Sequence, residues 1–217
     1  MNKNNLILGL DVSTNTIGIV LFEDLGDRGA LKLLTHVTPN VKPKPKSNIQ
    51  LLFEKAKIFD NEFLHKYSDV GITKVIIEEP LLRSNNVNTV ATLLRFNGMI
   101  ARSVYDTLNI VPEFISSYDA RKYGFPELMD FRTHNKKGER YPQKKLDKDI
   151  LEDKKVLFGA YPWDVDKKLI VWEKVADLEP QITWLYTRNM TLKKLNFDMT
   201  DAYLCVIAAM KKDNIWK

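Results

Sequence analysis

The chain has 217 residues, of which 44% are apolar and 28% charged. These are ordinary globular values, with enough chain to bury a core. A single cysteine, Cys205, excludes an internal disulfide framework and a cysteine-built zinc site. No apolar stretch approaches the roughly 20 residues of a membrane helix, and the first apolar run is too short for a signal peptide, so a cytosolic protein is expected. The net charge of +5 points to a polyanionic partner.

The chain opens with two apolar runs of strand length, Leu6–Leu10 and Ile17–Phe22. Between them lies the turn Asp11-Val12-Ser13-Thr14-Asn15-Thr16, flanked by Gly9 and Gly18. An ionised carboxylate at the end of a buried strand is costly without a cation or strong donors. Asp11 is therefore either a metal ligand or a turn cap on the Ser13 and Thr14 amides. Leu31–Val37 reads as a third strand, completing an antiparallel meander. Pro39–Lys46 is a stiff basic connector that cannot be helical. From Ser47, a candidate N-cap, Ile49, Leu52, Phe53, Ala56, Phe59 and Phe63 recur on one helical face, and Gly71 ends the unit.

Lys74–Glu79 is a short apolar strand that ends in acid. Strand, helix, strand is a crossover, so this strand runs parallel to its partner. If the partner is the first strand, Asp11 and one of Glu78 or Glu79 share the carboxyl edge where open α/β sheets build sites; alternation alone does not choose between the two glutamates. Asn86–Leu108 is the longest helical pattern, with two apolar stripes. One belongs on the sheet, and the other needs the C-terminal helix or a twin subunit. Val111–Ser117 reads as a fifth strand and Tyr118–Tyr123 as a helix stopped by Gly124-Phe125-Pro126.

Between Arg132 and Lys148 seven basic residues face only Glu139 and Asp147, so this stretch carries the whole net charge. With Gly138, Tyr141 and Pro142 and almost no aliphatics, it reads as a mobile basic arm that grips phosphates. Asp147–Phe158 and Asp166–Val175 are expected helices, broken at Gly159–Pro162.

Asn196–Lys212 is a helix by pattern, and Asp198 and Asp201, three apart, share a face of its first turn. One of them as an N-terminal cap would be unremarked; two acids beside the small Ala202 leave room for close packing on a sheet. Four carboxylates meeting in one place cannot stay ionised without divalent cations. Oxygen-only donors suit Mg²⁺ or Mn²⁺, and such a cluster can hold two ions that hydrolyse a phosphodiester in line.

Three motifs then stand in order: GLDVSTNTIG at Gly9–Gly18, VIIEEPLL at Val75–Leu82, and DMTDA at Asp198–Ala202. Together they resemble the RuvC-like Holliday junction resolvases of the ribonuclease H-like superfamily. The resemblance covers Leu6–Ser117 and Asn196–Ala209 and implies an α/β fold with a five-stranded mixed sheet, its first three strands antiparallel, flanked by helices. It implies a single nuclease domain over 1–217, with a basic, partly flexible insertion around 125–188 that has no counterpart in compact bacterial members. It implies Asp11, Glu78, Asp198 and Asp201 as catalytic metal ligands for Mg²⁺ (or Mn²⁺), with Glu78 chosen because the family's acid directly follows the apolar run. The implied activity is symmetric nicking of four-way DNA junctions by a homodimer joined through the helix at 86–108. Arg121 and Lys122, in SSYDARKYGF, fall beside the family's DNA-contacting segment. Lys136, Lys137, Arg140, Lys144 and Lys145, in the basic stretch, are further expected DNA contacts. Leu81 stands where bacterial members have an aromatic wedge against junction bases. Ser13 replaces the usual glycine, a variant of viral members, which together with the Lys- and Asn-rich composition makes a phage or other virus the expected source, with the host cytoplasm as the location if it is viral. Two other classes compete: an actin-like or sugar-kinase-like ATPase, whose second phosphate hairpin is missing from this sequence, and a module that binds branched nucleic acid without cutting it.

Overall fold

The computed structural model describes residues 5–80, 86–159 and 165–217. β1 (Leu6–Val12), β2 (Ile17–Asp24) and β3 (Gly29–Val37) form the expected antiparallel meander. α1 (Asn48–Phe59) starts at Ser47, whose side chain accepts from the Gln50 amide at 3.5 Å. It continues through a π turn, Asp60–Leu64, into the short α2 (His65–Tyr67). β4 (Ile72–Glu78) then lies parallel to β1, and β5 (Glu113–Ile115) parallel to β4, giving the order β3-β2-β1-β4-β5. α3 (Val87–Leu108) is capped by the Asn86 side chain, and α4 (Ser117–Gly124) by that of Ser116.

The basic stretch carries regular structure. β6 (Met129–Phe131) leads into a hairpin closed by a bridge between His134 and Arg140. The Asn135 side chain holds its tip, accepting from the amides of Lys137 at 2.8 Å and Glu139 at 3.0 Å. α5 (Gln143–Leu151) follows, then β7 (Lys155–Leu157), antiparallel to β6. The helix expected over 147–158 therefore starts earlier and ends at Leu151, where Asp153 takes a left-handed φ of 48° and turns the chain into β7. Three buried side chains, Met129, Leu146 and Leu157, are too widely spaced to announce this small unit in sequence. α6 (Lys167–Leu178), capped by Asp166, and α7 (Leu195–Lys212) complete the chain.

Strand parity divides the core into two faces. Leu8, Leu10, Ile19, Leu21, Val75 and Ile77 meet Leu52, Ala56 and Phe59 of α1 and Phe96, Ile100 and Val104 of α3. Ile7, Val20, Phe22 and Ile76 meet α7 through Ala202, Cys205, Val206 and Ala209, with Val171 and Val175 of α6 behind. Hence α7 cannot cover the second stripe of α3, one of the two partners left open by sequence. That stripe faces outward: Val87, Leu94 and Tyr105 are 78%, 43% and 42% exposed.

Candidate metal centre

The last registered pair of β1 and β4 is Leu10 with Ile77. Asp11 and Glu78 are the next residues on the two parallel strands. Asp11 has the parity of Ile7, and Glu78 that of Ile76, so both fall on the α7 side of the sheet. Glu79 has the opposite parity and is exposed. α7 contributes Asp201, and one carboxylate oxygen from each of Asp11, Glu78 and Asp201 falls within 4.8 Å of the others. Asp198, one turn earlier, joins them on the wall of a cleft of about 270 Å³ that Ser13, Glu79, Arg121 and Lys168 also line.

The surroundings fix each acid. The turn after Asp11 is capped by Ser13, whose Oγ accepts from the Thr16 amide at 3.0 Å and donates to the Thr16 carbonyl at 2.9 Å. The turn-cap role considered for Asp11 is thus filled by its neighbour. Buried Asn97 of α3 donates to the Val12 carbonyl at 3.3 Å, pinning the strand end from below. At Gly9 a Cβ would stand 2.7 Å from the Ala202 carbonyl oxygen, so the glycine is what lets α7 lie against β1. Neither Asp198 nor Asp201 caps α7, whose N-cap, Lys194, makes no side-chain cap bond. Fully buried Asn196 instead ties the helix start to the preceding loop, donating to the Leu185 and Lys193 carbonyls at 2.7 and 2.9 Å and accepting from the Leu185 amide at 3.0 Å. The Thr16 hydroxyl hydrogen-bonds Asp198.

The convergence of the acids carries an electrostatic penalty. Removal from water, then the charges of Glu78, Asp201 and Asp198, hold the Asp11 carboxyl well above its ordinary value. Burial and then Asp201 push Glu78 up to about 7, against the pull of Arg121 and Lys168. Asp198 is raised too, chiefly by burial. Hard oxygen donors that repel one another in this way fit a divalent cation of the Mg²⁺ or Mn²⁺ kind.

Lys168 is the residue that sequence reading misses. It sits in the first turn of α6, and its Nζ lies 3.0 Å from Asp201 Oδ2 and 3.6 Å from Asp198 Oδ1. Burial works against its charge, but Asp201, Asp11 and Asp198 outweigh that and raise its affinity for its proton. The only signal in sequence is its place just after the helix cap Asp166, since nothing in the local pattern says that α6 reaches the cleft.

The proposed DNA contacts scatter. Arg121 lines the cleft. Lys122 is ion-paired with Asp153. Lys136, Lys137, Arg140, Lys144 and Lys145 lie outside the cleft, exposed on the hairpin and α5. Lys145 also pairs with Asp149 and stands 4.2 Å over the Tyr141 ring. Leu81 lies outside the described residues.

No protein-family model matches the chain, and no curated protein matches it in sequence. Solved structures do match in fold. RuvC of Thermus thermophilus in complex with a Holliday junction substrate superposes with a TM-score of 0.52 at 9% identity, covering 94% of each chain. A second structure of Thermus thermophilus RuvC gives a TM-score of 0.50 at 12% identity, covering 97% of each chain. The yeast mitochondrial Holliday junction resolvase gives 0.50 at 12% identity, covering 96% of this chain and 78% of that one. The fold is thus RuvC-like, an α/β fold of the ribonuclease H kind.

Proposed function

We propose that the protein is a metal-dependent endodeoxyribonuclease that resolves four-way DNA junctions by paired symmetric nicks. The observation that carries this reading is the meeting of Asp11, Glu78 and Asp201, from the ends of two parallel strands and the start of the last helix, on a fold shared with junction resolvases. Asp11, Glu78, Asp198 and Asp201 would hold two divalent ions, Mg²⁺ or Mn²⁺ in its place. Bound there, such ions supply an activated water and stabilise the departing oxygen of an in-line displacement at phosphorus.

The chain's own part is to place and shield. β1, β4 and α7 set the carboxylates side by side at one sheet edge, so their backbone anchors need not move to receive a ligand. Arg121, on the cleft wall, is positioned to pair with a phosphate. Lys136, Lys137, Arg140, Lys144 and Lys145 present a basic surface that holds duplex backbone by charge without reading sequence. The outward stripe of α3 is the surface for a second copy, which would set two clefts on one junction. Residues 1–217 are then one nuclease domain, and 125–188 its basic insertion. Among the described residues no helix is long and apolar enough to cross a membrane.

The test is incubation with a labelled four-way junction, a plain duplex and an RNA–DNA hybrid, with and without Mg²⁺. Expected are paired cuts in the junction that require Mg²⁺ and leave ligatable 5′-phosphate ends. Tight junction binding with no cut in any metal would support the binding-module reading instead. Binding of ATP without DNA would support the ATPase reading.

A further inference from the structure

Lys168 is ion-paired with two of the acids. Its ammonium bridges Asp201 Oδ2 and Asp198 Oδ1, two oxygens from successive turns of one helix. An ion held by those oxygens at the roughly 2.1 Å of a Mg²⁺–oxygen bond could not share them with an ammonium at about 3 Å without strong repulsion. The lysine has somewhere to go. Its side chain is 46% exposed, and its stem can turn toward water by rotamer change alone. α6 meanwhile stays anchored by Val171 and Val175, both buried in the core.

We propose that Lys168 is the resting cation of this site: its ammonium occupies the Asp198–Asp201 side of the pocket in the metal-free protein, and divalent ions enter by displacing it. This rests on the metal-site reading above and adds a competition that the four acids alone do not imply. Lysine then does two things. It spares the empty pocket part of the repulsion among its carboxylates, and it weakens divalent binding, so that the pocket fills only where divalent cation is plentiful or a phosphate helps to hold the ion.

The experiment is calorimetric titration of Mn²⁺ into the DNA-free protein, for the parent, Lys168→Met, Lys168→Arg and Asp201→Asn. Lys168→Met is expected to bind Mn²⁺ about tenfold more tightly than the parent, because a like charge has been removed from the pocket. Lys168→Arg, which keeps the charge, should stay within a few-fold of the parent, and Asp201→Asn should bind more weakly. Equal affinities for the parent and Lys168→Met would overturn the competition and leave the metal site standing. A parent that takes up no Mn²⁺ would overturn the metal site and the competition with it. A second readout needs no variant: acetic anhydride labelling of the parent followed by mass spectrometry. Saturating Mn²⁺ should raise the acetylation rate of Lys168, since the amine is released to water. A rate that is unchanged or lower would contradict displacement.

Discussion

Gly18 of β2 lies directly beneath Asp198: a Cβ there would overlap the Asp198 carbonyl group and the Met199 amide nitrogen, closer than real Cβ atoms approach backbone. The glycine that closes the first motif is therefore a packing requirement, one that seats the start of α7 on the β1–β2 hairpin.

Gly18→Ala must push α7 away from the sheet, because the obstructing atoms are backbone. Overpacking of this kind costs about 2 kcal/mol, or roughly 4–8 °C in melting temperature for a chain of this length. Thermal unfolding checks the stability, and Mn²⁺ titration checks the expected weakening as Asp198 moves out of line. An unchanged melting temperature would show that α7 does not rest on β2 in this way.

The raised carboxylates give the metal-free protein a pH dependence with a definite sign. Glu78 has an ordinary value of 4.5 and is pushed up to about 7 in the folded state. Between those values the folded protein holds more protons than the unfolded chain, so its stability falls as pH rises through that window. Asp11, also raised, acts in the same direction. The elevated Lys168 contributes evenly throughout, since its ordinary value of 10.5 lies above the window. Urea unfolding at pH 5 and pH 8 should show the parent losing more stability than Glu78→Gln. Saturating Mg²⁺ should shrink or reverse the parent's loss.

Much of this is legible without the fold, for a physical reason. Asp11 and Glu78 each follow an apolar run, and a carboxylate at the end of a buried strand needs an explanation wherever the strand goes. Local pattern also marks the caps Ser47 and Asn86, and the paired acids on α7. The choice of Glu78 over Glu79 needs the register of β1 with β4, which is a long-range fact. Lys168 is invisible in sequence because its role depends on where α6 docks. The β6–β7 unit escapes because its buried apolar side chains, Met129, Leu146 and Leu157, are widely spaced in sequence and charge dominates the composition around them.

The basic surface of the hairpin and α5 should act through phosphates alone. Replacing Lys136, Lys137 and Arg140 together with glutamine should weaken junction and duplex binding alike. It should also lower the slope of log K against log salt by up to about 3, near 0.9 for each phosphate no longer neutralised. Fluorescence anisotropy at several salt concentrations measures this. Weakening confined to the junction would mean that these residues read branch shape instead.

The outward stripe of α3 should respond to charge. If two copies meet there, Leu94→Glu places a carboxylate in the apolar interface and should shift a dimer to monomer in analytical ultracentrifugation, with the melting temperature little changed because Leu94 is 43% exposed. A parent that sediments as a monomer at every concentration, with and without DNA, would place the dimer interface elsewhere.

The most direct test of the four-acid centre separates binding from cutting. Asp11→Asn and Asp201→Asn keep shape and remove one charge each from the pocket. Each is expected to fold, to bind a labelled four-way junction about as tightly as the parent, and to lose Mg²⁺-dependent cutting by at least a hundredfold, on the order of a catalytic electrostatic group. If either variant cuts the junction at the parent's rate, the carboxylates at the end of β1 and the start of α7 are not the centre that does the chemistry.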